Sequence, residues 1–274
     1  MKTYLILIIL LASFFISSAH AQGEADFSAL ILTGEQQVEE IIDPLRLRLL
    51  DGRILQLSGI DIPDLTPYDT GEIGLAAMTL LKETFLKKYV KIYQDKNKDK
   101  GRMNRMGYHI AHLSEKNSNL WIQALLIQNG LARVRPSAQN IEMAEQMMAL
   151  ELIARKEKRG LWADEKYAVL TPETVGSAMH GWAIIEGTIR ASAMAKNTVF
   201  LNFGNDWRTD FTVGIPSQVR RKLVNAAIDP LKFSNKHVRV RGWVEDYNGP
   251  YIELIDPVWI EILPDVSEKA TLAE

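Results

Sequence analysis

The stretch Asp51-Gly52-Arg53-Ile54-Leu55-Gln56-Leu57-Ser58-Gly59-Ile60-Asp61-Ile62-Pro63-Asp64 sets two carboxylates three positions apart around a proline. Asp51-Gly52 is a turn dipeptide, and the alternating run after it predicts a strand that stops at Gly59. Pro63 fixes its own φ and biases Ile62 towards an extended conformation. Asp61 and Asp64 are therefore expected on a stiffened corner at a strand end. Oxygen ligands on such a corner suit a hard cation such as Ca²⁺. The same residues also describe an ordinary polar turn, where aspartates serve local hydrogen bonds.

A second concentration of charge runs from Lys87 to Arg105. Lys87, Lys88, Lys91, Lys96, Lys98, Lys100, Arg102 and Arg105 come with only Asp95 and Asp99. Such a run tracks a phosphate backbone or forms a solvated face, and the pattern admits both. Lys100, Arg102 and Arg105 are the phosphate candidates. His109 and His112 alternate with apolar residues and read as core or surface histidines.

The elements that would position these residues follow from periodicity. Phe27–Leu32, Val38–Leu50 and the run after Asp51-Gly52 predict three extended segments, with the polar Gly34–Gln37 between the first two. Apolar spacing from Glu72 to Phe85 predicts a helix. Lys88–Gln94 and Met106–Leu113 predict strands. Asn119–Asn129, stopped by Gly130, and Ala144–Lys158, ended by Gly160, predict two more helices. Strands first, then packed helices, make a small helix-decorated barrel over residues 27–167.

Composition sets the frame. The chain has 274 residues, 47% hydrophobic and 24% charged, which suits one large domain or two small ones. Lys2, the apolar run Tyr4–Ile16 and Ala19-His20-Ala21 read as a signal peptide cleaved after Ala21. The run is short for a span of about 20 residues, so no stable membrane insertion is expected after its removal. The expected address is periplasmic or secreted. The net charge of −2 supplies no overall positive field for nucleic acid. No cysteine is present, which excludes disulfides, zinc–thiolate sites and a cysteine nucleophile.

Read in order, Ile42-Asp43, Leu57 to Asp64, Gly71-Glu72, Asn104 to His109, Asn129 to Val134 and Arg159 to Trp162 resemble the staphylococcal nuclease-like, or thermonuclease, family. The resemblance implies calcium-dependent phosphodiester hydrolysis. In the family, two aspartates and a main-chain carbonyl hold Ca²⁺, a glutamate activates water, and two arginines neutralise the phosphate. The metal polarises phosphoryl oxygens, the carboxylate accepts a proton, and guanidiniums grip phosphate bidentately.

Carried over by position, Asp61 matches the second metal aspartate, Ile62 the carbonyl donor and Arg105 the second phosphate arginine. Asp64 stands where the catalytic glutamate belongs, one methylene shorter, which withdraws its carboxylate by roughly 1 Å. Leu45 occupies the first metal position and Gln56 the first arginine position. Asp43 lies roughly 6.6 Å from Leu45 along an extended chain, beyond the reach of a Ca–O bond of about 2.3–2.6 Å. Arg46 is expected to face away from the ligand position. A calcium cage is thus expected to be incomplete. The expected activity is at most weak hydrolysis of DNA or RNA. The alternative is binding of single-stranded nucleic acid, an envelope polymer or an envelope protein without cleavage.

Residues 168–181 break the periodicity and read as a linker. Beyond them, Trp182–Ile189, Thr198–Phe203, Thr209–Ile215, His237–Val244 and Pro250–Ile262 predict strands, with a helix over Val219–Ala227. Three strands, a helix and two strands is the order of an OB-fold, placed at 182–263, with a polar tail at 264–274. Leu201 to Val213 and Val238 to Trp243 resemble the carboxy-terminal module of exported thermonuclease-family proteins of Gram-negative bacteria. The expected class is therefore mainly β with α, as two tandem OB-fold-like five-stranded barrels, the first carrying three helices. Trp207, Arg208, Tyr247 and Tyr251 are the candidates for a stacking face on the second. Trp182, Trp243 and Trp259 are expected in its core.

Overall fold

The computed structural model describes residues 25–99, 101–206 and 208–264. The expected signal peptide, Lys100, Trp207 and residues 265–274 of the expected tail lie outside the described residues. The first half runs β1 (Ile31–Asp43), β2 (Arg46–Leu49), β3 (Ile54–Leu57), β4 (Ile60–Asp61), α1 (Gly71–Phe85), β5 (Tyr89–Gln94), β6 (His109–Glu115), α2 (Ile122–Gln128), β7 (Arg133–Val134) and α3 (Ala144–Lys156). Five of these strands close a barrel in the order β1-β2-β3-β6-β5.

Alternation builds the barrel wall. Leu47, Leu49, Leu55 and Leu57 point inward and are buried, as are Val90 and Ile92 of β5. Ala77, Leu81 and Phe85, four apart on α1, cover one end of this core. Full burial of each Leu or Phe contributes about 1.5–3 kcal/mol. One expected boundary moves. The polar Gly34–Gln37 does not separate two strands, because β1 runs straight through it. The register against β5 shifts between Leu32 and Gly34, so a bulge absorbs the irregularity. Gly130 and Gly160, both at positive φ, let two loops touch backbone to backbone, where Leu161 N–H donates to Gly130 O.

The second half runs β8 (Trp182–Thr188), β9 (Ala191–Ala195), β10 (Thr198–Asn202), β11 (Thr212–Ile215), α4 (Ser217–Asn225), β12 (His237–Trp243), β13 (Glu245–Asp246), β14 (Pro250–Glu253) and β15 (Ile260–Ile262). It forms two sheets, ordered β13-β14-β11-β10-β9 and β15-β12-β8, around one apolar core. The chain is thus mixed α and β, with one closed barrel among the described residues. Residues 168–181 are packed rather than free. Leu170 bridges to Ile185, and Val175 is fully buried in the second core.

The halves meet along the segment from Arg133 to Pro136. Arg241 donates to Val134 O and to the Glu151 carboxylate, and Trp259 Nε1 donates to Pro136 O. Val258 packs against both cores.

Candidate functional site

Asp61 is the last residue of β4, and its strand partner on β7 is Arg133. That register brings the Arg133 guanidinium onto the Asp61 carboxylate, with Nε and Nη2 at 3.1 and 2.9 Å from Oδ2. Arg135 approaches the other oxygen at 3.5 Å. Asp61 is therefore held between two cations on a largely buried corner. Arg133 also donates to Trp182 O, and the Arg135 guanidinium stacks 5.0 Å above the Trp182 ring. The second half is fastened to the first through the same two arginines that grip Asp61.

The two aspartates of the corner do not converge. Asp64 adopts a left-handed conformation, φ 64°, which turns it towards the start of α1. Lys166 Nζ and the Tyr167 hydroxyl donate to one Asp64 oxygen at 2.6 and 2.5 Å. These bonds, Lys166 first and Tyr167 second, hold the Asp64 carboxyl below the usual carboxylate range. Asp64 lines a cleft of about 500 Å³ with Glu72, Asp164, Lys166 and Tyr167, whereas Asp61 lines another. The Ile62 carbonyl already accepts a hydrogen bond from Leu65 N–H.

Leu45 and Gln56 share the cleft of Asp61, which is about 530 Å³. Pro44-Leu45 is the two-residue turn between β1 and β2. Asp43 caps it, its carboxylate accepting from Leu45 N–H at 2.8 Å and from Arg46 Nε at 2.5 Å. Asp43 thus braces the hairpin that presents Leu45. The sequence reading set Arg46 facing away. Arg46 is the direct cross-strand partner of Gln56, and it does not line the cleft that Leu45 lines. Its guanidinium is engaged by Asp43 and lies over the Tyr108 ring.

Arg105 stands on a turn organised by Asn104, whose Oδ1 accepts from Met106 and Tyr108 N–H. Asn104 Nδ2 donates to Gln56 Oε1 at 2.8 Å, which docks that turn beside Gln56. Arg105 itself is exposed and makes no ion pair or hydrogen bond among the described residues. Arg102 is differently placed. Its guanidinium donates to the carbonyls of Asp95 and Lys96 and so ties down its own loop. Among the described residues, no three His, Asp or Glu side chains gather as a group able to hold a metal.

The opposite wall of the Asp61 cleft comes from the second half: Trp182, Trp243, Trp259 and Ile255. Trp182 and Trp259 are buried and meet edge to face at 4.8 Å, as expected of core residues. Trp243 corrects the sequence reading, being 44% exposed. It pairs with Trp182 at the end of β12, where no further strand covers it. Two buried polar atoms at this cleft, Ser58 Oγ and Trp182 Nε1, lack a partner. Sequence reasoning missed Arg133 and Arg135. Their only local signal was two cations alternating after Gly130-Leu131-Ala132.

The second-half candidates divide. Tyr251 is buried, and burial followed by the nearby Glu253 charge pushes its hydroxyl up to about 12. It is a support rather than a stacking face. Tyr247 is exposed and rests against it, ring centroids 5.2 Å apart. Arg208 is exposed in the turn that Asp206 organises.

Residues 54–164 match the family described as Staphylococcal nuclease homologue. The matched stretch runs from β3 through α3 and is similar to that family, and the match covers Asp61, Asp64 and Arg105. It begins at β3, so the hairpin bearing Leu45 precedes it. No curated protein matches the chain.

Proposed function

We propose that this is an exported thermonuclease-like protein whose nuclease-like centre hydrolyses phosphodiesters weakly or not at all. Its retained role is to bind single-stranded DNA or RNA in the cleft between the two halves. One observation carries the reading: the Asp61 carboxylate is held by Arg133 and Arg135, while an aliphatic side chain, Leu45, stands beside it. A divalent cation needs several oxygen donors, and two guanidiniums oppose its approach. The donor set does not fit Ca²⁺. Asp64, tied to Lys166 and Tyr167 in a separate cleft, is not placed to act with Asp61.

What remains suits binding. Arg135 and Gln56 line the cleft, the turn that carries Arg105 is docked on Gln56 through Asn104, and the exposed Trp243 offers a ring on which a base stacks. In the second half, β11 pairs with β14 in parallel and β8 with β12 antiparallel. Those pairings support an opened OB-like module. The residues Lys2 to Ala21 support export by their signal-peptide pattern.

The test uses the chain from Gln22 to Glu274 with labelled single-stranded DNA and RNA, in calcium or in chelator. Salt-sensitive binding with no calcium-dependent cleavage is the expected result. Calcium-dependent cleavage that disappears in Arg105→Ala would overturn the reading.

A further inference from the structure

The outer face of the five-stranded sheet carries a second recess, remote in sequence from the nuclease-like centre. The inner face is the second core, where Val199, Leu201, Val213, Ile215 and Ile252 are fully buried. Alternation then puts Ala193, Phe200, Asn202 and Thr212 outside, in register across β9, β10 and β11. These residues, with Ala195, Tyr247 and Asn248, line a recess of about 320 Å³. That is the size of a small-ligand pocket.

Its chemistry is specific in three ways. First, the floor is kept low. Ala193 and Ala195 carry no bulk, and Gly214 leaves room for the Tyr251 ring, which a Cβ there would strike. Phe200 and Tyr247 then stand as flat apolar surfaces, and Tyr251 supports Tyr247 from below. Second, the polar groups at the recess are amides and a hydroxyl. Thr212 Oγ1 donates to Asn202 Oδ1 at 3.1 Å, which orients the amide and leaves Nδ2 as a donor with no partner among the described residues. Third, no charged side chain among the described residues lines the recess. Around it, Glu245, Asp246 and Glu253 lie on β13 and β14. Asp206 and Asp210 lie in the loop packed against Gly249. The cations nearby are Arg208 in that loop, Arg190, whose backbone N–H donates to Asn202 O, Lys196 beyond β9, and Arg220, which bonds Met194.

We propose that this recess binds a neutral glycan chain, with sugar rings stacked on Tyr247 and Phe200 and hydroxyls paired to Asn202 and Asn248. A polyanion would meet more carboxylates than cations here and gain no ion pair. Sugar rings present flat C–H faces and uncharged hydroxyls, which match aromatic walls and fixed amides. OB-like sheets offer this face and the adjoining hairpin loop to oligosaccharides as well as to oligonucleotides. The inference does not rest on the fate of the nuclease-like centre.

The experiment is calorimetric titration of the chain from Gln22 to Glu274 with cellohexaose, chitohexaose and maltohexaose at low and high salt. At least one should bind, with an affinity unchanged by salt, because no charge is neutralised. Tyr247→Ala should weaken that binding about tenfold or more, while Trp243→Ala in the other cleft leaves it intact. Tyr247 is 59% exposed, so its replacement leaves the fold in place. No heat with any of the three up to about 10 mM would overturn the proposal. So would binding indifferent to Tyr247→Ala. Salt-sensitive capture of an oligonucleotide or a basic peptide, lost in Tyr247→Ala, would also overturn it by assigning the recess to a charged partner.

Discussion

Arg241 and Glu151 form an ion pair of 3.1 Å across the junction of the two halves, and both side chains are essentially inaccessible to water. Glu151 lies on α3 and Arg241 on β12. Glu151 also accepts from Val134 N–H, and Arg241 also reaches Glu261 at 3.0 Å. The pair therefore fixes the Arg133–Pro136 segment, and with it the arginines on Asp61. Removing one partner of a buried pair strands the other charge and costs about 3–5 kcal/mol. Arg241→Met should lower unfolding stability by about that amount. The double change Arg241→Met with Glu151→Met should recover part of it. Urea unfolding of the two variants against the parent measures both effects.

His112 gives the fold an acid limit. Its ring is buried beside Trp121, neither nitrogen has a partner, and burial pushes it down to about 3. In the unfolded chain it titrates near 6.5. Between those values the unfolded state binds the extra proton. Stability is therefore intact above pH 6.5 and lost as pH falls towards 3, by about 1.4 kcal/mol per pH unit. His112→Phe removes the titrating group and keeps a ring. Its stability relative to the parent should rise as the pH is lowered from 7 to 5, as read by urea unfolding at each pH. An unchanged difference between the two proteins would mean that His112 takes up its proton as readily in the fold as in the unfolded chain.

The state of Asp61 can be tested apart from activity. Leu45→Asp places a carboxylate in the cleft of Asp61, at the position proposed to correspond to a metal ligand, yet the two guanidiniums still occupy Asp61. Calcium titration by calorimetry should show no heat for Leu45→Asp alone. Adding Arg135→Gln removes the more exposed cation, and weak calcium binding should then emerge, in about the millimolar range of loosely built sites. Tight binding by the single variant would show that Arg133 and Arg135 yield to the ion.

Several of these relationships had no signature in the sequence. Alternation over β2 and β3 and the apolar stripe of α1 were legible because each is a local period. Gly130 and Gly160 were legible as stops, although not as the contact they make with each other. β9 escaped notice because Ala191–Ala195 is rich in small residues and lacks a β-branched or aromatic signal. Trp243 was misplaced because alternation gives a face but not whether a strand end is covered. The uncharged side chains at Leu45 and Gln56 are visible in the sequence itself. The arginines on Asp61 are not, since the β4–β7 register joins positions 72 residues apart. The same holds for Arg241 and Glu151, which are 90 residues apart.

Trp243 and Arg135 separate the two contributions to binding in the junction cleft. Trp243 is half exposed at the end of β12, so Trp243→Ala should leave thermal stability nearly unchanged. A base stacked on its ring would lose about 1–3 kcal/mol of affinity, at low and high salt alike. Arg135 offers a charge rather than a surface. Arg135→Ala should weaken single-strand binding chiefly at low salt and lower the salt slope by about one phosphate contact. Fluorescence titration with a labelled single strand over a range of salt distinguishes the two behaviours. Equal affinity of both variants and the parent would move nucleic-acid binding away from this cleft.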